Sequence, residues 1–201
     1  MKIDLLPIGQ YEENTYVVHE DGLVFIVDPG RHAKEIKKYI KDEKVIGIFL
    51  THGHDDHTGA VDDLVDDYGC PVYLHPLDFS LVQLKGNAHN GGSTHPLTCP
   101  LLPLEEGELT LEDLSFKVIH TPGHTSGSVL IQYQKALFTG DTLFQGTIGR
   151  TDLFSGDWAE MRKSLEIIAH LDSDLRVLPG HGMTSTIAIE KQTNPFLKEF
   201  L

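Results

Sequence analysis

Short apolar runs of strand type alternate along this chain with stretches of helical spacing, in an order that gives a strand-rich half with helix insertions, repeated once. Lys2 to Pro7, Thr15 to His19 and Leu23 to Val27 read as strands. Asp21-Gly22 is a hairpin signal between the second and third, and Asp28-Pro29-Gly30 ends the third. Ile36, Tyr39 and Ile40 at helical spacing predict a helix from Ala33 to Lys41. Val45 to Leu50 predicts a strand. Thr58 to Tyr68 predicts a helix with Ala60, Val61, Leu64, Val65 and Tyr68 on one face and four aspartates on the other. Pro71 to Leu74 is a further short strand, and residues 85–107, rich in Gly, Asn and Pro, read as an irregular excursion that forms a flap near a site. Two or more strands between Leu109 and Thr139 follow. A helix from Asp157 to His170 with Asp157 as N-cap, a strand from Leu175 to Leu178 and a short helix from Ser185 to Gln192 complete the pattern. The order predicts an α/β (α+β) fold in which two sheets pack together with helices outside, a four-layer αββα arrangement with a soft twofold repetition.

Seven residues with metal-ligating side chains sit just after these runs. Thr51-His52-Gly53-His54-Asp55-Asp56-His57 follows the strand ending at Leu50; His124 follows Phe116 to Gly123; Asp141 follows Ala136 to Gly140; His181 follows Leu175 to Gly180. Strand ends bring residues distant in sequence to one rim, where open α/β sheets place their ligands. In an extended segment residues i and i+2 point the same way, so His52 and His54 reach one ion and Asp56 continues that side. His57 breaks the phase where a helix begins and points to a second position beside Asp56, so the spacing suggests two metals rather than one. Two Pro-Gly-His turns, at His124 and His181, repeat one local context after two strands. The two carboxylate oxygens of Asp141 are able to face one metal each. Five imidazoles and two carboxylates suit zinc first, with iron and manganese also accepted.

Composition narrows the picture. The 201 residues fit one domain, and 40% hydrophobic and 23% charged residues allow a sizeable core. A net charge of -14 argues against a nucleic-acid partner, while leaving room for a small anionic substrate held by a local Arg or a metal. No apolar run approaches the ~20 residues that span a bilayer, and no signal-peptide pattern opens the chain, so no membrane partner is expected. Cys70 and Cys99 form no CxxC pair, which suits a reduced, cytoplasmic chain; Cys70, ahead of an apolar run, reads as a small buried hydrophobe. His19, His32, His75, His89, His95, His120 and His170 read as ordinary surface or core groups.

The motifs T-H-G-H-D-D-H, T-P-G-H-T-S-G-S, T-G-D-T-L-F and P-G-H-G resemble those of the metallo-β-lactamase superfamily, and more closely its small glyoxalase II-like hydrolases, almost from end to end. The resemblance implies the αββα fold over residues 1–201, with His52, His54 and His124 on one metal, Asp56, His57 and His181 on the other, and Asp141 bridging. It also implies hydrolysis of S-2-hydroxyacylglutathione-type thioesters by hydroxide formed on two divalent cations, with Asp56 and Asp141 as catalytic carboxylates. Full-length glyoxalase II enzymes carry a basic residue and a tyrosine in the segment that reads here Gly149-Arg150-Thr151-Asp152, and a helical C-terminal domain that grips glutathione. This chain has Arg150 in the basic position and Asp152 in place of the tyrosine, and no such separate domain is expected. Arg150 either binds a substrate carboxylate or bonds loop carbonyls or Asp152. A broad metallo-thioesterase and an iron-dependent persulfide dioxygenase remain as alternatives. A true β-lactamase, an RNA-processing nuclease and a non-enzymatic metal-binding module are each disfavoured, the last because all seven ligands are present.

Overall fold

The computed structural model describes residues 1–201. Its first sheet has the order β1-β2-β3-β4-β5-β6, from Lys2–Ile8, Glu13–Glu20, Leu23–Val27, Lys44–Phe49, Val72–Leu74 and Leu101–Pro103. The second has the order β14-β13-β10-β9-β8-β7, in which β7 is Gly107–Leu111, β8 Leu114–His120, β9 Val129–Tyr133, β10 Ala136–Gly140, β13 Arg176–Pro179 and β14 Ser185–Thr186. Leu143–Phe144 and Thr147–Ile148 (β11 and β12) form a separate small hairpin. Each large sheet opens as an antiparallel meander and then turns parallel, at β3–β4 and at β10–β13. This is the expected soft repetition.

The layers follow from strand periodicity. Strand β3 is buried on both faces: Val24 and Ile26 join one apolar cluster, Phe25 and Val27 another. The first cluster lies between sheet one and helices α1 (Ala33–Ile36), α3 (Val61–Tyr68) and α4 (Phe79–Gln83). The second lies between the sheets, where Phe25 meets Phe49, Phe116, Tyr133 and Phe138 edge-on at ring separations of 4.9–6.2 Å. The third lies between sheet two and helices α5 (Trp158–Ala169) and α6 (Ile187–Thr193). Three apolar layers separate four structural ones, so the fold is αββα. No helix is long and apolar enough to cross a membrane.

Several expected elements are cut differently. The helix from Ala33 gives way after Ile36 to tighter turns, with Tyr39 N–H bonding Ile36 O and Ile40 N–H bonding Lys37 O; Tyr39, expected on the apolar face, is exposed. The helix over Thr58 to Tyr68 is instead α2 (Asp55–Thr58) and α3, because Ala60 N–H turns away to Pro29 O. Its aspartates are not all solvated: Asp62 accepts from Thr98 N, Thr98 Oγ1 and Cys99 N. The excursion at 85–107 contains strand β6 and is held by Asp55 and Asp62 through Thr94, Thr98 and Cys99. Ser185 and Thr186 form a short strand rather than the start of a helix, and Thr186 caps α6 by accepting from Ile189 N–H. Asp157 does cap α5, accepting from Ala159 N and Glu160 N.

Candidate metal centre

The sheets are clipped together where the ligand-bearing strands end. Asn14 N–H donates to Gly180 O at 2.7 Å, Tyr16 Oη–H to Pro179 O at 2.7 Å, and Val129 N–H to Thr51 O at 2.9 Å. Strand β4 leads through a bend at Thr51 and His52 to His54, whose backbone is extended at φ -77, ψ 148. Helix α2 then starts, so Asp56 and His57 belong to its first turn rather than to the strand phase. β8, β10 and β13 bring His124, Asp141 and His181 from the other sheet.

All seven residues meet at this rim. The ligand atoms of His52, His54 and His124 lie within 4.8 Å of one another, as do those of Asp56, His57 and His181. Asp141 faces both trios: its Oδ1 is 3.4 Å from His57 Nε2, and its Oδ2 is 3.6 Å from both His124 Nε2 and His181 Nε2. Asp28, His52 and His57 form a third close group, but the Asp28 oxygens already accept from Thr51 N–H, Thr51 Oγ1–H and His57 Nδ1–H. Asp28 is therefore a brace.

The acceptors around the rings fix their tautomers. His57 Nδ1–H donates to Asp28, His124 Nδ1–H to Arg150 O at 2.8 Å, and His181 Nδ1–H to Tyr11 O at 3.0 Å. His52 Nδ1–H donates to Thr51 Oγ1, whose own proton goes to Asp28. Carbonyl and carboxylate oxygens only accept, so in each of these rings when neutral the proton sits on Nδ1 and Nε2 is left for a cation. His54 is the exception in orientation, with Nδ1 facing His52 Nε2 at 3.1 Å and His124 Nε2 at 2.9 Å. His57 Nε2 and Asp141 Oδ1 are buried without a hydrogen-bond partner. Each such orphan costs about 1–3 kcal/mol, and a cation between them would satisfy both. The donor set fits a binuclear metal centre.

The trios differ in charge. Burial and the neighbouring imidazoles push the His52 pKa well down, and burial together with His124 takes His54 to about 3. Burial works against charge on His57 too, yet Asp141 and Asp56 outweigh it and raise its pKa well above the ordinary value. His181 is also raised: burial is overcome by Asp56 and Asp141. Asp141 falls to about 2 because His57, His124 and His181 together exceed its burial penalty, and His57 and His181 do the same to Asp56.

Supporting residues come from places where no ligand spacing points. Asp28 sits in the left-handed region at φ 49, held by Thr15 Oγ1–H on its carbonyl at 2.8 Å and by its own N–H on Phe49 O at 3.0 Å. Asp78, fully buried, accepts from Gly53 N–H at 2.9 Å, Thr125 Oγ1–H at 2.7 Å and Gly127 N–H at 2.8 Å. It thus ties the His52–His54 loop to the His124 loop. Asp55 accepts from Thr94 N and Oγ1 and anchors the 85–100 excursion beside the site. Gly180 must lack a side chain, since a Cβ there would strike His57 Cε1 and the Asp141 carboxylate.

A cleft of about 730 Å³ opens over the cluster, lined among others by Tyr11, Arg31, His89, Thr94, Arg150 and Leu153. The 85–100 excursion therefore forms one wall, and His89, expected to be an ordinary surface group, belongs to it. Arg150 lines the cleft, but its guanidinium is held by Asp152 through Nε at 2.6 Å and Nη2 at 2.8 Å. No serine or cysteine lines the cleft. His120 bonds Ser126 O and stacks on His75.

Comparison with known proteins agrees with this geometry. The model of the family described as "Metallo-beta-lactamase superfamily" matches residues 8–181. Hydroxyacylglutathione hydrolase GloC of Haemophilus influenzae is 35% identical, with 98% of each chain covered. The crystal structure of BLEG-1 B3 metallo-β-lactamase is 37% identical with a TM-score of 0.87, over 98% of this chain and 99% of that one. TTHA1623, solved in a di-iron-bound form, is 36% identical with a TM-score of 0.82, over 96% of this chain and all of the other. Family model, relatives and fold agree, and the chain belongs to the metallo-β-lactamase superfamily.

Proposed function

We propose that this chain is a binuclear metallohydrolase that cleaves thioesters of the S-2-hydroxyacylglutathione type, with His52, His54 and His124 on one ion, Asp56, His57 and His181 on the other, and Asp141 between them. The observation that carries this is the single Asp141 carboxylate facing two preformed trios in a cleft that no serine or cysteine lines. Two divalent ions held there would supply a Lewis acid and bring the pKa of a bound water from 15.7 toward about 7. Asp56, held ionised, orients the attacking water. The C–O bond forms, the C–S bond breaks, and the sulfur leaves as a thiolate, which needs little help from a general acid because thiols ionise near pH 8.5. The hydroxyacylglutathione hydrolase among the relatives supports this substrate class.

Zinc is the first expectation for the ion, and the di-iron relative makes iron the alternative to measure. The unpaired, buried Cys70 and Cys99 suit a cytoplasmic location.

The test is elemental analysis of the purified protein together with assays on S-lactoylglutathione, a β-lactam, and glutathione persulfide with oxygen uptake monitored. Thioester hydrolysis that is lost on chelation and restored by metal is expected. Turnover of the β-lactam alone, or oxygen uptake on the persulfide without thioester hydrolysis, would overturn the proposal.

A further inference from the structure

An acidic substrate meets an unfavourable field at this cleft. The chain carries a net charge of -14, and Asp55, Asp56 and Asp141 line the opening. The ions of the proposed centre would offset Asp56 and Asp141, so a side-chain cation is needed only for an anionic group bound away from that centre. Of the sixteen Lys and Arg side chains, only Arg31 and Arg150 reach the cleft.

These two arginines are not equivalent. Arg150 spends the Nε–Nη2 edge of its guanidinium on Asp152. Arg150 and Arg162 are the arginines that form ion pairs, and Arg31 forms none. Yet Arg31 is well positioned. Gly30 before it packs on the backbone carbonyl of Asp56, and its own stem lies along Gly9 and Gly59, where an added Cβ would come within 3.4 Å of Cδ and Cγ respectively. Tyr11 also lines the cleft, with its ring exposed and its carbonyl holding the His181 ring. The planar guanidinium suits a carboxylate through two parallel hydrogen bonds.

We propose that Arg31 is the anchor for a carboxylate on the substrate. The proposal rests on the thioesterase reading for the reaction, but not for the binding. It moves the role expected of Arg150 to a residue whose fork is open.

The experiment compares S-lactoylglutathione with its diethyl ester, in which both carboxylates are masked, for the wild type and for Arg31→Gln, Arg31→Lys and Arg150→Gln. Calorimetric titration of the metal-loaded proteins with S-methylglutathione and its diester runs in parallel. The preference of the wild type for acid over ester, as a ratio of kcat/KM, is expected to fall about tenfold in Arg31→Gln, through KM rather than kcat. Arg31→Lys keeps part of it, and Arg150→Gln keeps most. An unchanged preference in Arg31→Gln, or its loss in Arg150→Gln alone, would overturn the proposal. If the wild type hydrolyses neither thioester, the functional reading fails and the titrations decide the anchor. Tighter binding of the acid than of the diester, lost in Arg31→Gln, supports Arg31; equal binding of the two by the wild type overturns it.

Discussion

The two trios present the same number of ligand atoms and handle protons in opposite ways. In the first, His52, His54 and His124 are buried, and the pKa values of His52 and His54 are depressed, so those rings stay neutral without a metal. In the second, Asp56 and His181 are about one-quarter exposed, and the carboxylates raise the pKa values of His57 and His181. The first trio is ready for a cation; in the second, a cation must displace protons. The difference arises from the chain itself: a strand end supplies only imidazoles to one group, while a helix start and the acidic brace surround the other.

The largest effect should come from breaking the residue the trios share. Asp141→Asn is expected to lower activity by more than the ~100-fold that outer partners typically cost, with reduced metal content; kcat/KM and elemental analysis check this. Next is acidification. The raised His57 and His181 take up protons as pH falls, whereas His54 resists protonation to about 3. Lowering the pH should therefore empty the second trio first, and metal content measured after equilibration at successive pH values should fall in two steps. Simultaneous release of both ions would remove the distinction. Smaller is the loss of the brace between the loops of the first trio. Asp78→Ala leaves Gly53 N–H, Gly127 N–H and Thr125 Oγ1 without their acceptor. It should destabilise the fold by on the order of 3 kcal/mol and weaken metal binding about 10–100-fold, read by denaturant unfolding and competitive chelation.

The smallest concerns a histidine outside both trios. Burial and the stacked His120 lower the His75 pKa from 6.5 to about 4. Above 6.5 folded and unfolded chains both hold it neutral. Below that, the unfolded chain takes a proton that the folded chain refuses until about 4, so this contribution to stability is lost as pH falls across the window. His75→Gln should flatten the decline by on the order of 1–3 kcal/mol, measured by unfolding between pH 7 and 4.

The convergence of the seven residues was legible because each follows an apolar strand and because the H-x-H-x-D-H spacing encodes a strand running into a helix. The αββα layering was legible from the repeated strand-rich order. What supports the site was not. Asp28 reads as a turn residue in Asp28-Pro29-Gly30, and nothing local shows that Thr51 and His57 converge on it. Asp78 precedes a short helix and looks like its cap, but its side chain reaches two other loops instead. The break between α2 and α3 depends on Pro29 O, 31 residues before Ala60 in sequence. Arg150 stood out by its place in a motif, whereas the openness of Arg31 depends on which carboxylates fold nearby.

The most direct measurement of the central claim is anomalous diffraction at the metal edge from crystals of the loaded protein. Two peaks are predicted, one within the His52, His54 and His124 trio and one within the Asp56, His57 and His181 trio, with Asp141 in contact with both. A single peak, or a pair that leaves Asp141 uncoordinated, would contradict it.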